Sequence, residues 1–196
     1  MNPGYTRSMR AVMLEVPEGF LEDRRRKGLD KRDEVWDGVL HMVPPATFRH
    51  QTLGSELLVV LHRLARSRGL QAVYEVGLFD PTKGLDNYRV PDLVLVEPKH
   101  ASERGVEGRA ALVVEILSPN DESRDKLPFY ARTGVSEVWL VHPVTRVIEI
   151  FTLAEGELVE VAPAAGSVRS PLLGIELTTV AGPKLQIRDG AHVDEI

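Results

Sequence analysis

The pattern of apolar and polar positions predicts one long helix in an otherwise strand-rich chain. In residues 47–69 the apolar positions recur every three or four residues, as on one side of an amphipathic helix. Thr47 is suited to the N-cap of this helix and Gly69 to its end. A titratable residue, His50, shares the apolar stripe. The members of the stripe are His50, Leu53, Leu57, Leu61 and Leu64.

The other patterned segments are shorter. Residues 17–28 and 126–134 have the charge and capping pattern of short helices that end at glycine. Alternating or continuous apolar runs predict strands elsewhere, and Asp37-Gly38 and Glu155-Gly156 predict hairpin turns. We therefore expect an α/β or α+β domain, a mixed sheet with helices packed on it. The strand segments are 9–16, 34–43, 71–79, 88–98, 109–119, 136–143 and 146–163, with edge strands around 174–180 and 184–189.

The most apolar strand contains one acid. Residues 111–117 read ALVVEIL, and Glu115 interrupts a run that predicts burial on both faces of a sheet. An unpaired ionised carboxylate there would cost several kcal/mol, so Glu115 needs a cation, a donor or a proton.

Composition narrows the possible classes. The 196 residues predict a single domain over 1–196 with no membrane span, and we expect a cytoplasmic protein. Cysteine is absent, which excludes disulfides, thiolate metal sites and cysteine nucleophiles. The net charge of −5 argues against a dedicated nucleic-acid binder, although metal ions on a carboxylate cluster would still permit a phosphate-rich substrate.

A second acid and a lysine complete a candidate site. Asp92 follows Pro91 at the start of a strand, 23 residues before Glu115. If the two strands are neighbours, both carboxylates can lie on one side of the sheet at one depth. Paired carboxylates, a backbone carbonyl and waters are the ligands that Mg²⁺ or Mn²⁺ selects. Lys126 would then contact a phosphate or a nucleophilic water.

Other polar residues have ordinary explanations that compete with functional ones. His50 is either a satisfied core or cap histidine or a group that contacts substrate or shares a proton. Glu34 and Asp37 fit hairpin chemistry better than a metal-proximal role. The basic run 23–32 is best interpreted as a solvated helix face, with a smaller chance of phosphate contact. No glycine-rich phosphate loop, GxSxG or HExxH motif is present.

Several motifs together resemble the Uma2 family, also called DUF820, a bacterial group of endonucleases with the PD-(D/E)XK restriction-endonuclease-like fold. The similarity covers about 33–175, and the block from Lys126 to Pro143 carries its most specific spacing. The resemblance implies a mixed sheet flanked by helices, with an additional N-terminal hairpin and C-terminal strands. The matching pieces are DEVWDGVLHMVPP with His50, VPDLVLVEP, LVVEILSPN and KLPFYARTGVSEVWLVHP.

The resemblance also implies roles for residues. Asp92 and Glu115 would be metal ligands for Mg²⁺ or Mn²⁺, and the Ile116 carbonyl a third. The usual motif lysine would stand at position 117, where this chain has Leu117, so Lys126 would replace it. His50 and Glu34 would be auxiliary. Pro128 predicts that the helix carrying Lys126 begins near Asp125.

Three functional hypotheses follow. The first is a Mg²⁺-dependent endonuclease that hydrolyses phosphodiester bonds in DNA, and the family resemblance implies a homodimer. The second is a nuclease-fold binding protein for nucleic acid or protein that has lost catalysis, favoured by the negative charge and the absent motif lysine. The third is an enzyme for a small phosphorylated substrate, which would need a narrow site mouth.

Overall fold

A computed structural model of the chain describes residues 12–13, 17–43, 45–118 and 122–196. The helices are α1 (Phe20–Arg26), α2 (Phe48–Arg66) and α3 (Leu127–Thr133), with short 3-10 turns at Pro98–His100 and Ser123–Lys126. The strands are β1 (Val12–Met13), β2 (Glu34–Trp36), β3 (Val39–His41), β4 (Gln71–Tyr74), β5 (Leu78–Asp80), β6 (Gly84–Arg89), β7 (Leu93–Val96), β8 (Val106–Glu107), β9 (Leu112–Ile116), β10 (Glu137–Val141), β11 (Ile148–Ala154), β12 (Glu157–Glu160), β13 (Ser167–Arg169), β14 (Glu176–Val180), β15 (Lys184–Asp189) and β16 (His192–Glu195).

The strands form three sheets. The central sheet has the order β12-β11-β10-β9-β7-β4, in which β9 and β10 are parallel and the other neighbours are antiparallel. An N-terminal sheet has the order β1-β3-β2-β6-β5-β8, and β13 to β16 form a separate antiparallel sheet. The expected α+β architecture with a mixed sheet is confirmed.

Strand β9 divides its side chains between two cores. Leu112, Val114 and Ile116 pack into the core that contains the apolar stripe of α2, whereas Val113 packs into the core that contains α3. Since successive strand residues face opposite sides, Glu115 faces α3 together with Val113. The period-2 alternation of the strand therefore delivers the acid to the α3 side of the sheet.

Local boundaries differ from the sequence prediction at several places. Residues 71–79 form two strands in different sheets, because Glu75 has φ +48° and breaks the run after β4. Strand β6 begins at Gly84, four residues before the strand predicted over 88–98, and β8, β13 and β16 were not predicted. Of the strand predicted over 9–16, only Val12–Met13 is described.

The capping and turn predictions agree with the structure. The Thr47 hydroxyl accepts the His50 backbone N–H at 3.3 Å and so caps α2. Asp37 and Gly38 both have positive φ, as the two central residues of a type I′ hairpin turn require. No described helix has the length and apolar content needed to cross a membrane.

Glu137 joins the central sheet to the loop between β13 and β14 of the C-terminal sheet. Its side chain is fully buried at the start of β10, and its carboxylate accepts from Trp139 Nε1 at 2.6 Å and from Ser170 Oγ at 2.6 Å. The Leu172 backbone N–H donates to its other oxygen at 2.9 Å. Burial raises the pKa of Glu137, and these three donors oppose that rise. The residue is therefore a structural acid.

We expect Glu137→Ala to lower the free energy of unfolding by about 3–5 kcal/mol, because three buried donors lose their acceptor. Urea denaturation followed by circular dichroism measures this change. Glu157→Ala, at an exposed position of β12, is the matched control and should change stability by less than about 0.5 kcal/mol. A loss below about 1 kcal/mol in Glu137→Ala would contradict the role assigned to this carboxylate.

Candidate active site

Asp92 and Glu115 lie opposite each other on neighbouring strands. Strands β7 and β9 are antiparallel with Leu93 paired to Val114, and continuing this register by one residue places Asp92 opposite Glu115. The Ile116 backbone N–H donates to Asp92 Oδ2 at 2.7 Å. Strands β7 and β9 are thus neighbours, which is the arrangement on which a shared site for the two acids depends.

His50 reaches the same place from α2. Its Nε2 lies 3.3 Å from Asp92 Oδ2, and its side chain is 9% exposed. Burial lowers the pKa of His50, but the Asp92 carboxylate and the Ile116 carbonyl outweigh this and raise it overall. The ring nitrogen Nδ1 is buried without a hydrogen-bond partner among the described residues. The Asp92 carboxylate therefore favours the positively charged form of the neighbouring His50 imidazole.

Lys126 reaches the acids from the 3-10 turn that precedes α3. Its Nζ lies 3.1 Å from Glu115 Oε1 and 2.8 Å from Glu34 Oε1, and its side chain is 12% exposed. Burial opposes the charge of this ammonium, but the two carboxylates outweigh burial and raise the pKa of Lys126. Lys126 stays charged, and its turn begins two residues before the predicted start near Asp125.

Glu34 is a buried member of the site, which the sequence alone did not favour. It is 2% exposed in β2, and its carboxylate accepts from the Val90 backbone N–H at 2.9 Å and from Trp36 Nε1 at 2.8 Å. Burial raises its pKa, but Lys126 and these donors outweigh burial and lower the pKa of Glu34. Asp37, by contrast, is exposed and pairs with Lys83 at 2.6 Å.

The charges of this cluster leave Glu115 as the surplus acid. Lys126 neutralises Glu34, and His50 pairs with Asp92. Glu115 is 4% exposed, and burial, with Asp92 and Glu34 adding to it, raises the pKa of Glu115 to about 8 although Lys126 opposes the shift. The Tyr130 hydroxyl also donates to Glu115 Oε1. A carboxyl group in this position holds a proton at neutral pH unless a cation replaces it.

The donor set fits a small divalent cation. Asp92, Glu115 and the Ile116 carbonyl offer only oxygen atoms, and Mg²⁺ typically binds one or two carboxylates and keeps several waters. Among the described residues, hydrogen bonds reach only Oδ2 of Asp92 and Oε1 of Glu115, which leaves Oδ1 and Oε2 for other partners. The described part of the chain contains no cluster of three or more metal-binding side chains, so carbonyl and water ligands would have to complete the shell.

Two residues of the site were not singled out from the sequence. Tyr130 lies within the family-matched block that begins at Lys126. Burial raises the pKa of Tyr130 well above its usual value, so its hydroxyl keeps its proton and donates to Glu115. The Arg89 guanidinium lies 4.3 Å from the centroids of both the Trp36 and the Phe129 rings, and it interacts electrostatically with Glu34. Charge pattern and motif spacing do not identify these two residues, because their roles depend on contacts with other segments of the chain.

The basic run at 23–32 is largely engaged within the protein. Arg24 forms an ion pair with the buried Asp33 at 2.7 Å, and Arg32 pairs with Glu75 at 2.6 Å. Lys27 pairs with Asp23 at 2.6 Å across one helical turn. This run therefore adds little uncompensated positive charge near the site.

Comparison with known proteins identifies the family of this chain. A family model named Uma2, described as "Putative restriction endonuclease", matches residues 17–181. The chain belongs to the Uma2 family. Restriction-endonuclease-like families generally use divalent metal ions and act on nucleic acid, which agrees with the oxygen-rich donor set at Asp92 and Glu115. The sequence matches none of the curated proteins.

A solved structure supports the fold assignment. It is described as the "Crystal structure of a putative nuclease belonging to DUF820 from Anabaena variabilis", with a TM-score of 0.58 and 18% sequence identity. The match covers 72% of this chain and 83% of that protein. The Uma2 resemblance deduced from the sequence motifs and the nuclease-like fold are both confirmed.

The protonation of Glu115 predicts how stability depends on pH in metal-free protein. Between about pH 4.5 and pH 8, folded Glu115 holds a proton that the unfolded chain has released, so stability from this group falls as the pH rises. Glu115→Gln cannot lose that proton. We expect the unfolding free energy of wild type, relative to Glu115→Gln, to decrease from pH 5 to pH 9.

Urea denaturation of both proteins in a chelating buffer measures this difference. Glu157→Gln, on an exposed strand, provides the control, and its difference from wild type should be constant over the same range. A pH-independent difference for Glu115→Gln would show that Glu115 is already ionised in the folded protein.

Proposed function

We propose that this protein is a metal-dependent endonuclease that hydrolyses phosphodiester bonds in DNA. The observation that carries the proposal is the convergence of Asp92, Glu115 and Lys126 within one Uma2 fold, with a surplus carboxyl group at Glu115. Mg²⁺ or Mn²⁺ is the proposed ion, held by Asp92, Glu115 and the Ile116 carbonyl. When bound, such an ion lowers the pKa of water and stabilises negative charge on phosphate.

The reaction requires one water and one phosphodiester. The water oxygen forms a bond to phosphorus, one ester P–O bond breaks, the water gives up a proton and the departing oxygen gains one. Lys126 has three N–H donors, and Glu34 and Glu115 use two of them among the described residues. The third donor can hold the attacking water or a phosphate oxygen.

Glu34 and Tyr130 position these groups. Glu34 is fixed by the Val90 N–H and Trp36 Nε1, so it holds the Lys126 ammonium at a defined point. Tyr130 orients Glu115 through its hydroxyl. His50 lies next to Asp92, where it can contact the scissile phosphate or exchange a proton with it. The lysine that is absent at position 117 is thereby supplied from the turn before α3.

The first test of this proposal is metal binding. We expect wild-type protein to bind Mn²⁺ in calorimetric titration, and Asp92→Asn and Glu115→Gln each to weaken binding by tenfold or more, because each removes a charged ligand. Glu157→Gln should bind as wild type does. If wild type binds no divalent ion, the metal-dependent mechanism is wrong and the acids form a structural pair.

The second test is cleavage. We expect supercoiled plasmid to be nicked with Mg²⁺ or Mn²⁺, Glu115→Gln to lose activity, and Lys126→Gln to slow nicking about 100-fold or more because it removes a charged donor. Lys99→Gln, at an exposed lysine paired with Glu97, is the control. Circular dichroism of each variant checks that it is folded.

Equal nicking by wild type and Glu115→Gln would overturn the assigned site. Metal binding without cleavage of DNA or RNA would support the alternative, a nuclease-fold protein that binds nucleic acid or protein without catalysis. Lys126→Arg adds a further comparison, since it keeps the positive charge but changes donor geometry. Partial activity in Lys126→Arg would show that the positive charge contributes by itself, and complete loss of activity would show that the position of the donor is also required.

A further inference from the structure

The first turn of α2, which contributes His50 to the candidate site, also carries an exposed aromatic side chain. Phe48 is 88% exposed, the highest fraction among the large apolar side chains that the structure describes. It is the first residue of α2, two positions before His50, whose Nε2 lies 3.3 Å from Asp92. Exposing a whole phenyl ring to water is unfavourable, by about 1.5–3 kcal/mol relative to burial.

Arg49, between these two residues, is an uncompensated cation. It is exposed and forms no ion pair with any described residue. Many arginines of the described chain are paired with carboxylates, whereas the Arg49 guanidinium is left to contact an external anion. The paired ones include Arg24, Arg32, Arg63, Arg68, Arg104, Arg124 and Arg146.

Helix geometry spreads the three residues around the end of α2. Each residue advances by about 100°, so Arg49 projects roughly a quarter turn from His50, and Phe48 projects from nearly the opposite side. A helix with side chains is about 10–12 Å wide. A strand that places one phosphate at His50 and Asp92 can therefore pass Arg49 with its backbone and reach Phe48 with a neighbouring base.

We propose that Phe48 stacks on an unstacked nucleobase of the substrate, next to the nucleotide whose phosphate enters the site, and that Arg49 contacts the intervening backbone. This inference rests on the proposed function. The aromatic ring and the unpaired cation together match a nucleic-acid strand, which offers an apolar base face and an anionic backbone at adjacent positions.

The proposal defines the class of substrate. In a continuous duplex both faces of each base are covered by neighbouring base pairs, so a protein ring finds no free face unless the stack is opened. Single-stranded DNA, a gap or an unpaired end offers such a face. Binding through Phe48 therefore favours DNA with an unstacked base close to the cleaved phosphate over regular duplex.

Fluorescence anisotropy with labelled oligonucleotides, in a chelating buffer that prevents metal-dependent cleavage, tests this preference. We expect Phe48→Ala to weaken binding of a single-stranded oligonucleotide about 5- to 100-fold, the range that base–aromatic stacking gives. Binding of a duplex closed by hairpin loops at both ends, with the loops held outside the binding site by a long stem, should change less than about twofold. Phe48→Trp should retain single-strand binding.

Val59→Ala is the matched control, since Val59 is also apolar, 72% exposed and eleven residues further along the same face of α2. It should leave binding unchanged. Arg49→Gln should weaken binding of both oligonucleotides and reduce the dependence of affinity on salt by about one phosphate contact. Oligonucleotides with 2-aminopurine at successive positions should show quenching at one position in wild type that is lost in Phe48→Ala.

Several outcomes would overturn the inference. One is single-strand binding by Phe48→Ala equal to wild type while wild type nicks plasmid, which leaves the proposed function intact. Another is a wild-type dimer that becomes monomeric in Phe48→Ala, which would identify a second copy of the chain as the occupant of this surface. If wild type neither binds nor cleaves any nucleic acid, the proposed function fails as well.

Discussion

The charge balance around the buried Lys126 ammonium holds the candidate site together. The ammonium is shared between Glu34 at 2.8 Å and Glu115 at 3.1 Å, and Asp92, paired with His50, adds a further negative charge that acts on Glu115. Removing one partner from a buried pair leaves an uncompensated charge, which is strongly destabilising. The cluster therefore tolerates few changes at these positions, and its remaining imbalance, at Glu115, is the property that favours a cation.

The fold brings these groups together from segments far apart in the chain. Glu115 lies in β9 and Asp92 directly precedes the neighbouring strand β7 of the central sheet. Glu34 comes from the N-terminal sheet, His50 from α2 and Lys126 from the turn before α3. The alternation of β9 supplies apolar contacts to both cores and still directs one acid to the side of α3. A strand buried on both faces can thus serve packing and chemistry at once.

The sequence predicted the features that depend on local pattern. The long helix with its Thr47 cap, the Asp37-Gly38 turn and the buried strand with Glu115 were all evident, because capping, turn geometry and apolar periodicity are local properties. The position of Glu34 was not evident. Its burial depends on Lys126, 92 residues away, and no local pattern encodes that contact.

The division of the strand over 71–79 and the separate C-terminal sheet were also not predicted from the sequence. A single residue at positive φ, Glu75, redirects the chain into another sheet, although its side chain gives no turn signal of its own. Strands β13 to β16 pair with their neighbours in the chain as an antiparallel meander, so they form a sheet of their own instead of adding edge strands to the central sheet.

The link from Glu34 through Lys126 to Glu115 also connects two sheets mechanically. Strand β2 is short, with three residues, and it contributes to the site only through the Glu34 side chain and its neighbours. Local opening of a short strand generally costs less than global unfolding. Strand β2 can therefore open locally, and its amide protons can exchange with solvent while the central sheet stays protected. Loss of Lys126 alignment would then precede denaturation, so the arrangement of the candidate site would be lost at a lower temperature than the fold.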